Sequence, residues 1–305
     1  MNAPASKQPS PWAILAAFGR MVRLSHTIFG LPFALAATAL AHVWSVEHGG
    51  EGLTLARLLW IVVAFTGART AAMGFNRIVD AKWDAMNPRT ADREIPAGVV
   101  GVRTAWTLTL GSAAVFVVAS AMLGRLPLLL SPLCLVVIGG YSLFKRFSWG
   151  SHLVLGLALA LAPAGAWVAV TGSLQGWVTP GLLMLAVASW VAGFDVLYSL
   201  GDMDFDKEVG LHSIPARFGV IGALCISGGL HLVTVGMLVA LHVSAGLGWP
   251  HAIGVALIGG LLGVEHWLVR PGDLSKLGKA FFDVNGYVSL AYLLCTLVDI
   301  WVGRA

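Results

Sequence analysis

Aspartates spaced four apart occur twice, at Asp80 and Asp84 and again at Asp202 and Asp206, in a chain with only fifteen acidic residues. The second pair repeats the first at a constant offset, 80 to 202 and 84 to 206. Residues at i and i+4 project from one face of a helix. Asn76, Asp80 and Asp84 therefore form one polar ridge. Tyr198, Asp202 and Asp206 form a second, with Asp195 one turn earlier. If the two ridges face each other, four or five carboxylates converge, and their repulsion calls for cations. Mg²⁺ suits the task, because it is a hard ion that takes oxygen ligands and keeps coordination sites for substrate phosphate. The plainer alternative is a solvated loop with surface ion pairs. Such pairs contribute only about 0–1 kcal/mol and do not account for matched clustering. Asp204 lies off the ridge, and for it the solvated reading serves equally well.

The same segments carry the cations that a diphosphate needs. Arg89 and Arg93 are again four apart, Lys145 and Arg146 close an apolar run, and Lys207 follows Asp206. Arginine offers a two-pronged fork to phosphate oxygens, and lysine a point charge. Carboxylates, a metal and arginine together can stabilise a phosphate leaving group. For Lys145 and Arg146, fixing membrane topology is an equally good reason to be there.

These ridges must be positioned by membrane helices. The chain is 57% hydrophobic and 11% charged, against roughly 25% charged for a soluble domain, and its mean hydropathy is +0.82. Runs such as 126–144 and 153–171 hold no Asp, Glu, Lys or Arg, and apolar runs of about 18 residues or more read as membrane spans. The expected fold is all-α and multi-pass, one domain over 1–305 with 1–10 disordered. Nine spans are expected at 24–46, 53–75, 101–122, 127–145, 151–172, 177–200, 218–242, 250–270 and 283–303. The short apolar stretch 12–18 ahead of them reads as interfacial. Strands are excluded, since open sheet edges cannot face lipid.

Lys and Arg concentrate in the N-terminal segment and alternate loops, while the opposite side holds only Arg57, Arg125 and Arg304. The positive-inside rule then puts the N-terminus and both acidic ridges in the cytoplasm and the C-terminus outside. A bacterial inner membrane is the expected location. The net charge of +4 reads as topology and anionic lipid rather than nucleic-acid binding. Cys134, Cys225 and Cys295 lie apart without a CxxC, so no disulfide is expected. The nine histidines are scattered, and His42, His231 and His242 read as helix or interface residues.

The stretch 76–98, NRIVDAKWDAMNPRTADREIPAG, resembles the first signature of the UbiA-type intramembrane aromatic prenyltransferases, NxxxDxxxD followed by RTxxR. The stretch 195–210, DVLYSLGDMDFDKEVG, resembles their second, DxxYxxxDxxxD followed by Lys. HTIFGLPF at 26–33 and YSLFKRF at 141–147 are similar to segments of the 4-hydroxybenzoate polyprenyltransferase-like branch, and the resemblance covers essentially the whole chain. Trp83 and Asn87 depart from the commoner first signature, at positions expected to touch no ligand.

The resemblance implies nine helices enclosing a central cavity open to the cytoplasmic side. It implies Mg²⁺ on Asn76, Asp80, Asp84, Asp202 and Asp206, holding a polyprenyl diphosphate whose charge Arg89, Arg93, Lys145, Arg146 and Lys207 neutralise. Diphosphate departure generates an allylic cation, which an aromatic ring attacks ortho to a phenolic oxygen. Asp195 would orient or deprotonate that acceptor, and Tyr198 would hydrogen-bond the diphosphate or the acceptor. Arg23 and His26 are candidates for the acceptor's carboxylate, against plainer roles as a topology anchor and a backbone cap. Phe29, Phe75, Trp83, Phe194 and Tyr198 offer ring faces to the cation, and the isoprenoid tail is expected to leave sideways into lipid.

The implied function is Mg²⁺-dependent transfer of a polyprenyl group to a 4-hydroxybenzoate-like acid in quinone biosynthesis. A hydroxynaphthoate acceptor of a menaquinone route is the alternative. The expected partners are the two substrates and the lipid bilayer, with no nucleic acid and no obligate protein. A cation transporter is the rival from another class, disfavoured because its acids would sit at mid-depth rather than at one face. A CDP-alcohol phosphotransferase is disfavoured because its contiguous aspartate signature is missing.

Overall fold

The computed structural model describes residues 11–23 and 27–303. The segment 1–10, expected to be disordered, and His26 lie outside the described residues. Among the described residues, nine helices are long and apolar enough to cross a membrane, and no strand forms. The chain is an integral membrane protein. Lipid offers no partner for a backbone N–H or C=O, so each span must satisfy its own groups as a helix.

A short helix, α1 (Pro11–Met21), precedes the first span, α2 (Thr27–Glu47). Next come α3 (Leu55–Met86), α4 (Val102–Leu123), α5 (Arg125–Phe144), α6 (Ser151–Thr171) and α7 (Val178–Tyr198). A single 3₁₀ turn, Ser199–Asp202, leads into the short α8 (Met203–Val209). The chain ends with α9 (Ile214–Ser244), α10 (Trp249–Leu268), the turn α11 (Leu277–Lys279), a π-helical turn Ala280–Val284 and α12 (Asn285–Val302). The expected spans agree with these helices to within a few residues, with two exceptions that shape the site.

The first exception is α3, which continues to Met86, well past the expected end at 75. Asn76, Asp80 and Asp84 therefore ride a single rigid helix. The second is the ridge after α7, which is not one helix. The 3₁₀ turn tightens the winding, so Asp206 on α8 leaves the line of Tyr198 and Asp202 and becomes fully buried. Gly210 ends α8 with φ +72°, a left-handed conformation that glycine adopts without a Cβ clash. Ser213 then caps α9, its Oγ accepting from the Ala216 N–H at 3.3 Å, with Pro215 in the first turn.

Helices pack here without a hydrophobic drive, so small residues set their closest approaches. Gly156 of α6 lies so near α7 that a Cβ would collide with the backbone carbonyl of Ala188. One turn from this crossing lies His152, and two turns along α7 lies Asp195. Gly156→Val is expected to destabilise the protein by about 1–3 kcal/mol through forced separation of α6 and α7. The thermal unfolding midpoint in detergent reads this, and an unshifted midpoint would refute the close approach. Elsewhere in the core, Phe33 stacks on Tyr292 with ring centroids 4.8 Å apart and meets Trp190 at 4.9 Å.

Candidate active site

A cavity of about 730 Å³ runs between α2, α3, α4, α5, α6 and α7, closed on one side by Phe281 of the π-helical turn. One end is polar and carries Asn76, Asp80, Asp84, Arg89, Arg93 and Asp202. The far end is apolar, reaching Leu123 at the end of α4, Pro127 and Leu130 at the start of α5, and Leu174 and Trp177 in the α6–α7 connection. A second recess of about 940 Å³ lies under α1 and shares Arg23, Arg77, Arg89, Thr90, Arg93 and Tyr198 with the first.

At the polar end each aspartate of the two ridges has its own basic partner. Arg89 holds Asp202 with two nitrogens, Nε to Oδ1 at 2.9 Å and Nη2 to Oδ2. Asn87 Nδ2 adds a third bond to Asp202 Oδ1 at 3.0 Å. Arg93 Nη1 donates to Asp84 Oδ1 at 2.6 Å, Lys145 Nζ lies 2.7 Å from Asp206 Oδ1, and Arg146 Nη2 lies 3.6 Å from Asp80 Oδ1. Arg146 is also tied to α3 through the Val79 carbonyl at 2.7 Å. Asn76 Nδ2 donates to Asp80 Oδ2 at 2.8 Å, which directs its own carbonyl oxygen elsewhere. Burial opposes the charge on Arg89, but the hydrogen bond and negative charge of Asp202 outweigh it and hold the guanidinium above its ordinary pKa. Its plane also sits 4.8 Å from the Tyr198 ring.

Asp80, Asp84 and Asp202 thus share one end of the cavity, each facing a base. Among the described residues, no three acidic, imidazole or thiol side chains stand close enough to cage an ion as they are. The donor chemistry nevertheless fits a hard divalent cation. All the candidate atoms are carboxylate or amide oxygens, and Asp84 Oδ2, on a residue of the cavity wall, is buried with no hydrogen-bond partner.

The structure distributes the sequence candidates unevenly. Asn76, Asp80, Asp84, Arg89, Arg93, Lys145, Arg146, Asp195, Tyr198, Asp202 and Arg23 line the cavity. Asp206 does not; it is wholly buried beneath Lys145. Lys207 and Asp204 are exposed on α8, away from the cavity wall. Asn87, expected to touch no ligand, bonds directly to Asp202 and also accepts the Arg89 N–H on its Oδ1 at 2.9 Å. Trp83 lines the cavity too.

Three site residues escaped the sequence reading. His152, 3% exposed, bonds through Nδ1 to Asp195 Oδ2 at 2.7 Å. Arg69 and Arg77 on α3 both face the cavity, and each donates to a carbonyl at the end of α1: Arg69 Nη1 to Val22 O and Arg77 Nε to Met21 O, both at 3.2 Å. An arginine inside an apolar span was a legible signal, since such residues usually face a cavity or a partner. His152 sits at the head of a charge-free run and carried no such mark. Of the aromatic candidates, Phe29, Phe194 and Tyr198 gather around Phe281, with centroids 5.6, 5.3 and 4.1 Å away. Phe75 lies outside this group, edge-on to Trp106 at 5.9 Å.

Residues 30–287 match the UbiA prenyltransferase family. A 4-hydroxybenzoate octaprenyltransferase of Vibrio cholerae is 30% identical over 262 residues, 85% of this chain and 90% of the relative. A 4-hydroxybenzoate octaprenyltransferase of Klebsiella pneumoniae is 29% identical over 284 residues, 92% of this chain and 94% of the relative. Among solved structures, the apo structure of a UbiA homolog from Aeropyrum pernix K1 superposes with a TM-score of 0.81 at 35% identity, covering 90% of this chain and 98% of that one. A UbiA homolog from Archaeoglobus fulgidus bound to GPP and Mg²⁺ has the same fold, with a TM-score of 0.71 at 17% identity over 93% of this chain and 99% of that one.

Proposed function

Since this chain belongs to the UbiA prenyltransferase family, we propose that it transfers a polyprenyl group from a polyprenyl diphosphate to a 4-hydroxybenzoate-like acid in quinone biosynthesis. The whole chain acts as one domain. The observation that carries this reading is the ring of acid–base pairs at one end of an apolar cavity. A metal diphosphate brings cationic charge to the acids that line the cavity and anionic charge to their bases. The pairs can therefore part at small electrostatic cost, because every charge keeps a counter-charge.

Asn76, Asp80, Asp84 and Asp202 would hold Mg²⁺, and Asp206 would fix Lys145 in place. Mg²⁺ bound there supplies Lewis-acid neutralisation of the diphosphate. Arg89, Arg93 and Arg146 turn toward phosphate oxygens, Lys145 adds its charge from the cavity wall while staying paired with Asp206, and Lys207 has no direct part. The bond between prenyl C1 and oxygen breaks, and its electron pair leaves with the diphosphate. A ring carbon ortho to the phenolic oxygen supplies the pair for the new C–C bond. The proton on that carbon is then lost to the departing diphosphate, a base close by. Asp195 accepts a hydrogen bond from the phenolic hydroxyl, and Phe29, Phe194, Tyr198 and Phe281 exclude water around the cation. The tail follows the apolar part of the cavity toward Trp177 and, where it outruns that length, leaves sideways between helices into lipid.

The acceptor's carboxylate meets Arg69, a cation on the cavity wall whose hydrogen bond goes to a carbonyl rather than a carboxylate. The arginine-rich recess under α1, with Arg23, is its route inward. Lys and Arg cluster at this end, which supports a cytoplasmic active site and an outside C-terminus. Arg69→Met is expected to raise the KM for the aromatic acid on the order of tenfold while leaving that for polyprenyl diphosphate unchanged. An unchanged acceptor KM removes Arg69 from this role.

The function is tested with purified protein, Mg²⁺, a polyprenyl diphosphate and 4-hydroxybenzoate. Prenylated product that vanishes on chelation and returns with Mg²⁺ is the expected result. No product with any aromatic acid would sink the reading. Product with a hydroxynaphthoate alone would change the acceptor but keep the chemistry. Metal uptake into vesicles without prenylation would favour the transporter.

A further inference from the structure

We propose that His152 is the positioning residue of the acceptor side: it holds the Asp195 carboxylate aimed into the cavity, where the aromatic substrate's hydroxyl donates to it. This rests on the acceptor role given to Asp195 above. The geometry fixes the tautomer of the imidazole. The Ile214 N–H donates to His152 Nε2 at 3.3 Å, so Nε2 carries the lone pair. Nδ1 therefore carries the proton and donates to Asp195 Oδ2 at 2.7 Å. A ring held at both nitrogens cannot swing away. Oδ1 is left for the cavity, on a carboxylate that keeps 24% of its side-chain exposure while the imidazole keeps 4%.

Two features show that this contact is built rather than incidental. The α6–α7 crossing at Gly156 and Ala188 allows the two helices close enough for the bond to form. Ile214 opens α9 directly after the second acidic segment, and His212 of that segment is pinned to the Lys145 carbonyl at 2.8 Å. The imidazole thus joins the acceptor side to the segment that follows Asp202 and Asp206. A histidine that merely fills the core would need no polar atom aimed at a cavity-lining carboxylate.

The test compares H152A, H152N and H152Q in the prenylation assay. Asparagine places an amide N–H near the position of Nδ1, alanine places none, and glutamine carries its amide past that position. H152A is expected to lower kcat on the order of 100-fold at saturating acceptor, with the KM for polyprenyl diphosphate within about twofold of wild type. H152N is expected to recover to within about tenfold of wild type, and H152Q to stay near H152A. If H152A fails to fold, judged by its elution profile and unfolding midpoint, the contrast of H152N with H152Q decides. H152A within about threefold of wild type, or H152N no better than H152Q, overturns the proposal and leaves the function standing. No product from the wild type with any aromatic acid overturns both.

Discussion

Replacing Asp202 with alanine is expected to cut turnover about 10³-fold, the upper range for removing one preorganised charge-stabilising group. Asp202 is the most heavily bonded acid in the cavity, accepting from Arg89 twice and from Asn87 once. On the proposed mechanism its loss removes a metal ligand. It also frees Arg89, the cation best placed to meet a phosphate, to adopt other positions. The fold should survive, because partly exposed ion pairs contribute only about 0–1 kcal/mol. Asp80→Ala is expected to behave likewise. The measurement is product formation per folded protein, with elution profile and unfolding midpoint as controls. A D80A/D202A double variant that still turns over would be decisive against metal-assisted diphosphate departure.

Arg89→Ala is expected to lower kcat/KM for the polyprenyl diphosphate on the order of 100-fold, the worth of one charge-assisted contact or two. Arg89→Lys should recover only part of this. Lysine supplies a charge but neither the planar fork that engages Asp202 at two points nor the flat face that lies over Tyr198. The charge itself does not vary with assay pH, since a guanidinium stays protonated far above pH 9 with or without Asp202. The loss should therefore be equal at pH 6 and pH 9. Full activity of the lysine variant would show that only the point charge matters.

The candidate site was legible where its residues lie close together on one helix. Asn76, Asp80 and Asp84 could be read as one ridge because α3 is continuous through them. The second ridge was misread in part. Asp202 reaches the cavity, but the 3₁₀ turn before α8 rotates Asp206 into the interior, and spacing alone gives no sign of that turn. Lys207 shares the same displacement. Asn87 was passed over because its importance comes from Asp202, a residue 115 positions away.

From the sequence by itself came the spans, their number among the described residues, and the first acidic ridge. These are local consequences: lipid forces apolar runs into helices, and a helix places i and i+4 on one face. The tertiary structure alone decided which cation meets which acid and where Asp206 points. It also decided that His152 meets Asp195, 43 positions on. Those contacts depend on how closely α6 and α7 approach and how α7 unwinds at its end, and both are set by packing between distant segments.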